Sequence, residues 1–249
     1  MSGHSHWAGI KHKKAANDAK RGKVWSKVAR MIIVAAKNGG GDPSANLTLR
    51  YAIDKAKSAN MPKDTIEKAI KKGTGSLEGV SFEEILYEGY GPSGVAIMVE
   101  ALTDNRNRTG PEIKRIFEKR GGSLGGSGCV NWMFSQKGLI TVNTGSVDEE
   151  QLLEIALNAG ADNMENIGDA FEITCDPASY EELKKALEAA KIPTQLAEIS
   201  MVPQTTIPVN EETTAKKILL LMEAFEDHDD VQNVYANFDI PDEIVSSIS

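Results

Sequence analysis

Covalent, metal and membrane chemistry have little to work with in this sequence. Its only cysteines, Cys129 and Cys175, form no CxxC pair, so neither a disulfide framework nor a zinc site is implied, and each reads as a buried free thiol. Three of the four histidines crowd the start of the chain. His4, His6 and His12 have no cysteine or carboxylate ligand partner beside them, and the neighbouring lysines repel a cation. No run approaches the ~18–20 apolar residues that span a bilayer. Residues 1–23 lack the apolar core of a secretory signal and are not Arg-rich like a transit peptide, so a cytoplasmic protein without a membrane partner is expected.

Catalytic motifs are missing as well. "GGSLGGSG" (121–128) has neither the lysine of a P-loop nor GxGxxG spacing. It also runs from a helix into a strand, the reverse of a phosphate loop, so it reads as a flexible loop or contact surface. "EDHDD" (226–230) lacks the glycine and closing glutamate of a calcium loop and reads as a solvated helix end. No Ser/His/Asp or Cys/His grouping is placed by local motif, so no catalytic, metal or cofactor residue is assigned.

What the chain does have is a steep division of charge. Its formal net charge is -8, yet residues 1–75 hold 16 Lys or Arg against 5 Asp or Glu, and residues 76–249 hold 12 against 31. Such asymmetry points to a polyanionic partner for the basic part, with the acidic part aiding solubility.

Periodicity organises the basic part into helices. Val24, Val28, Ile32 and Ala35 recur at helical spacing until "GGG" (39–41) ends the helix. A second helix buries Leu49, Ala52, Ile53 and Ala56. A third takes Pro62 as an early residue, buries Ile66, Ala69 and Ile70, and stops at Gly73. "GTGSLEG" (73–79) has the composition of a linker. Strands "EEILYEGYG" and "GVAIMVEAL" follow, then a helix from about Pro111 to Lys119, the glycine-rich loop and a strand "VNWMFS". Residues 137–204 read as βαββαβ, the ferredoxin-like order. A final helix and strand complete the sheet domain begun at 80. The expected fold is therefore α+β: a three-helix bundle (1–79), then two α+β domains, one discontinuous (80–136 plus 205–249), with a ferredoxin-like third (137–204) inserted in it.

Nucleic acid is the partner these residues suit. His4, His6, Trp7, Lys11, His12, Lys13, Lys14, Lys20, Arg21, Lys23, Lys27 and Arg30 interleave cations for phosphates with aromatic faces for bases. Trp25, beside Val28 on the apolar side, reads as core; Trp7 fits core or stacking equally. A second basic group lies between Arg106 and Arg120, where the loop "DNRNRTGP" joins Arg106 and Arg108 to Asn105 and Asn107. These donate to phosphates or base edges. The alternatives are interdomain ion pairs or a helix cap at Thr109 with Glu112.

"GHSHWAGIKHKKAANDAKRGKVWSKVAR", "KSANMPKDTIEKAIKKGTG", "YEGYGPSGVAIMVEALTDNRNRT", "GGSLGGSGCVNWMF" and "AFEIT" resemble the YebC family in the family's order, across essentially the whole chain. The resemblance implies the same three domains and no enzymatic activity or cofactor. It also implies cytoplasmic, DNA-binding probable transcriptional regulators among bacterial members, with a mitochondrial translational activator and ribosome-associated translation factors among relatives. The expected function is a non-enzymatic nucleic-acid-binding regulator of gene expression, a DNA-binding transcriptional regulator. The alternative is an RNA- or ribosome-bound translation factor, and the remote one an enzyme with a site between the α+β domains.

Overall fold

The computed structural model describes residues 18–77 and 81–248. In chain order the elements are α1 (Asp18–Gly39), α2 (Leu47–Ser58), α3 (Lys63–Gly73), β1 (Glu83–Tyr90), β2 (Ala96–Thr103), α4 (Arg106–Lys119), β3 (Ser123–Leu124) and β4 (Phe134–Asn143). Then come α5 (Glu149–Asn158), β5 (Ala161–Asn166), β6 (Ala170–Cys175), α6 (Tyr180–Ala189), β7 (Thr194–Pro203), β8 (Ile207–Pro208), α7 (Glu212–Glu226), β9 (Val231–Ala236), β10 (Phe238–Asp239) and α8 (Asp242–Ile248). The described residues divide into two compact units, one of 18–129 with 213–234, the other of 130–212 with 235–248. No described helix is long and apolar enough to cross a membrane.

In the first unit, α1, α2 and α3 enclose a core of their own from Val28, Ile32, Ala35, Leu49, Ala52, Ala56, Ile66 and Ala69. The helical spacing of these residues puts them on facing stripes, so their burial needs no strand. Val24, expected on that stripe, is exposed. Trp25 packs on the bundle core as expected, and its indole N–H reaches the Ala59 carbonyl at 2.9 Å, which satisfies its polar edge. Asn46 joins the end of α1 to the start of α2. Its side-chain oxygen accepts from the Leu49 N–H at 3.0 Å as an N-cap, while its amide donates to the Ala35 and Gly40 carbonyls, each at 2.8 Å. Gly40 has φ +84°, a left-handed stop. Pro62 caps α3 from outside rather than lying within it.

The same unit holds a four-stranded sheet, ordered β3-β1-β2-β9, with β1 antiparallel to β2 in register from Glu83↔Thr103 to Tyr90↔Ala96. Phe117 of α4 meets Phe225 of α7 edge-on, ring centroids 4.7 Å apart, and both are fully buried. Two expectations are corrected here. The helix expected from Pro111 begins at Arg106, because Asn105 caps it by accepting from the Arg108 N–H at 3.1 Å. Neither a loop at 106–110 nor a cap at Thr109 exists; Pro111 sits inside the helix. The glycine-rich loop is tied down: β3 pairs with β1, and the Gly125 and Gly128 N–H groups donate to the Glu88 carbonyl (2.8 Å) and carboxylate (2.6 Å).

The second unit contains the order strand, helix, strand, strand, helix, strand from β4 to β7, in a sheet ordered β5-β6-β4-β7 whose neighbours are all antiparallel. Its core comes from Leu139, Ile140, Val142, Leu152, Ile173, Tyr180, Leu183 and Leu187. The expected strand "VNWMFS" is not separate. Residues 131–133 form a 3-10 turn, and Phe134 opens a ten-residue strand that runs straight through Gly138. That glycine sits against α6: a Cβ there would meet Cys175 Sγ at 2.6 Å and Tyr180 at 2.9 Å. β8 and β10 pair in parallel, and α8 adds a short C-terminal helix absent from the sequence reading.

Candidate nucleic-acid interface

Cations from two distant stretches of sequence face one open groove of about 670 Å³ within the first unit. One wall is α1, through Lys23 and Arg30. The other is α4, whose Arg108, Glu112, Arg115 and Lys119 stand at successive turns on one face. Residues 227–230, between α7 and β9, form the third side.

The hub of this arrangement is Asp230. Its side chain is 4% exposed and its Oδ2 accepts from Arg108 at 2.7 Å, Thr109 at 2.7 Å and Thr103 at 3.2 Å, while Oδ1 accepts from Arg30 at 2.9 Å. Burial alone would push the carboxyl up, but the bonds from Arg108 and Thr109 and the charges of Arg108 and Arg30 outweigh it and hold it below the ordinary aspartate range. The same pairing, led by the Asp230 hydrogen bond, raises Arg108, which also contacts Asp104 at 3.0 Å. The reading of "EDHDD" as a solvated helix end is therefore corrected at its last residue: four donors make burial of the charge tolerable. Backbone bonds fix the hub in place, since the Leu102 N–H donates to the Asp230 carbonyl at 2.8 Å.

His228 extends the network. The Asp230 N–H donates to His228 Nδ1 at 3.1 Å, so the neutral ring carries its proton on Nε2, which lies 3.0 Å from Glu112 Oε2 and donates to it. On α1, Lys23, Lys27 and Arg30 recur along one face and donate to main-chain carbonyls around the end of α7: Asp227 at 3.2 Å, Glu226 at 2.5 Å and Asp229 at 2.5 Å. Cations there also complement the negative end of the helix dipole. Arg30 lies over the Phe82 ring at 5.5 Å.

The structure thus brings together Lys23, Lys27, Arg30 and Arg108 of the sequence-predicted residues. Arg106 is exposed on another face of α4 and does not line the groove. His4, His6, Trp7, Lys11, His12, Lys13 and Lys14 lie outside the described residues, and Lys20 and Arg21 fall in the first turn of α1, whose side chains are not among those described. Arg115 and Lys119 were missed. Their spacing from Arg108 would have marked them had the helix been started at the Asn105 cap rather than at Pro111. Among the described residues no cluster of three or more His, Cys, Asp or Glu is placed to hold a metal. Burial pushes the Cys175 thiol up to about 11 and also raises Cys129, the reverse of an activated nucleophile.

Two family models cover the chain: the TACO1/YebC protein N-terminal domain matches residues 5–76, and the TACO1/YebC second and third domain matches 82–238. The chain belongs to the TACO1/YebC family. Among its relatives, proteins of Halothermothrix orenii and Dictyoglomus thermophilum are 54% and 56% identical over 251 and 250 residues, covering 100% of this chain and 99% and 100% of theirs. Both carry the name "probable transcriptional regulatory protein", a regulator's name and not an enzyme's. A crystal structure of a conserved hypothetical protein from Aquifex aeolicus matches with a TM-score of 0.86 at 51% identity, covering 96% of this chain and 99% of that chain. This TACO1/YebC chain is accordingly α+β, with an N-terminal helical region followed by sheet-containing parts.

Proposed function

We propose that this TACO1/YebC protein is a non-enzymatic, cytoplasmic, nucleic-acid-binding regulator of gene expression, and that the α1–α4 groove is part of its binding surface. One observation carries the reading. Two basic segments some 80 residues apart in sequence converge on a single groove, where their side chains concentrate positive charge on an open surface. The relatives' name favours a DNA-binding transcriptional regulator. A second reading, RNA or ribosome binding in translation, is favoured by the groove's chemistry: its cations suit phosphates, and among the described residues no Asn or Gln lines it to read base edges. Duplex DNA binding is therefore weakly sequence-selective, and structured RNA competes for the same surface.

We also read the architecture as three domains. The self-contained bundle core and the separate family match to residues 5–76 support a first domain ending before residue 80. The antiparallel order β5-β6-β4-β7 supports a ferredoxin-like βαββαβ unit at 137–204 inserted in a domain made of 80–136 and 205–249.

The test is a titration of the full chain with labelled duplex DNA and with structured RNA from low salt to about 150 mM, where screening limits long-range attraction. Binding that weakens steeply with salt is expected. Absence of binding to either at low salt refutes the reading, and a preference for one promoter that survives a thousandfold excess of random duplex and RNA refutes the weak selectivity.

A further inference from the structure

Hydrogen bonding divides the groove's cations into two classes. Lys23, Arg30 and Arg108 are already held by the Asp227 and Asp229 carbonyls and the Asp230 carboxylate. A phosphate could take them only by displacing those bonds. Arg115 and Lys119 differ. They stand one turn apart on α4, both exposed, both lining the groove, and neither side chain has a hydrogen bond or ion pair among the described residues. Four residues of helix advance about 6 Å, which sets two cation heads side by side along the groove.

We propose, resting on the nucleic-acid reading above, that Arg115 and Lys119 are the phosphate-holding pair of this protein, while Lys23, Lys27, Arg30 and Arg108 hold the groove's shape. Arg115 supplies a planar fork that can take one phosphate through two bonds, and Lys119 a point charge for its neighbour. On the groove's third side, the exposed Asp227 and Asp229 bring negative charge that keeps the affinity for polyanions down.

The experiment measures how the affinity of the full-length protein for a duplex DNA and for a single-stranded RNA depends on salt. Arg115→Gln with Lys119→Gln is compared with wild type and with Lys68→Gln plus Lys71→Gln, which removes the same charge from the exposed face of α3. Each lost phosphate contact makes the slope of log K against log salt shallower by about 0.9 on duplex and about 0.7 on a single strand. The groove variant should therefore lose about 1.8 or 1.4, and the α3 variant less than half of that. Asp227→Asn with Asp229→Asn should bind several-fold more tightly. An unchanged slope in the groove variant, or an equal change in both lysine-containing variants, with wild type still binding, overturns the assignment of Arg115 and Lys119. Wild type that binds neither nucleic acid overturns the reading on which it rests.

Discussion

Replacing Asp230 should destabilise the first unit far more than an ordinary surface change, because its carboxylate is shared by four donors and almost wholly removed from water. Removing one partner of a buried charge pair costs ~3–5 kcal/mol, and single hydrogen bonds to a charged group contribute ~1.5–3. The guanidiniums of Arg30 and Arg108 belong to side chains that remain 21% and 45% exposed, so water can solvate them once the carboxylate is gone. Thr109 can still donate to Thr103 at 2.8 Å. Both facts favour the lower end: about 3 kcal/mol for Asp230→Ala and about 2 for Asp230→Asn, which keeps one acceptor. Urea unfolding in a Trp7→Phe, Trp132→Phe background reads the transition through Trp25 alone, the tryptophan on the bundle core. A double-mutant cycle with Arg108→Ala isolates the shared term. The pH dependence adds a second check. A carboxyl held below its ordinary value contributes stability that is fully present above about pH 4 and is lost as the pH falls through the lower folded value, so the gap between wild type and Asp230→Asn should shrink there. A loss under about 0.5 kcal/mol for Asp230→Ala, the range of ordinary surface substitutions, refutes the hub.

Arg108→Ala should lower stability by about 1–2 kcal/mol through the same hub, whereas Arg106→Ala should change it by less than about 0.5, measured by the same denaturation; equal effects would contradict the distinct placements of the two arginines. Asn46→Asp should cost more than Asn46→Ala, because the carboxylate keeps the cap to Leu49 but sets oxygen against the Ala35 and Gly40 carbonyls; the reverse order in thermal melts would contradict this clamp. Gly138→Ala should destabilise the second unit by about 1–3 kcal/mol from overpacking against Cys175 and Tyr180, and a neutral effect would contradict the strand's path. Native-state labelling with a thiol reagent should modify half-buried Cys129 well before Cys175, whose thiol is buried and pushed up to about 11.

Elements with a strong period were legible in the sequence. The stripes of the bundle and the alternation of β1 and β2 need only local pattern and turn residues to be recognised. Errors came where one residue carries contradictory local signals. Gly110 and Pro111 speak against a helix, yet Asn105 caps one and two turns of tertiary packing at Ile113 and Phe117 carry it through. Gly138 looks like a strand break, yet the close approach of Cys175 and Tyr180 is what requires a residue without a side chain there. The groove was half legible. Charge counting found Lys23, Arg30 and Arg108, but nothing local says that Asp230, in a run of acids, is the buried one. Its burial depends on Thr103, Thr109 and two arginines that only the fold assembles. For the same reason the sequence could not separate cations that hold the structure from cations left facing solvent.

Lysine footprinting tests the central claim most directly. The full chain is acetylated briefly with and without a saturating structured RNA or duplex DNA, and modification at each lysine is read by peptide mass spectrometry. Binding in the α1–α4 groove predicts strong protection of Lys119 and no change at Lys185 or Lys191 in the second unit. Protection confined to the second unit, with Lys119 as reactive in the complex as in the free protein, would contradict the account.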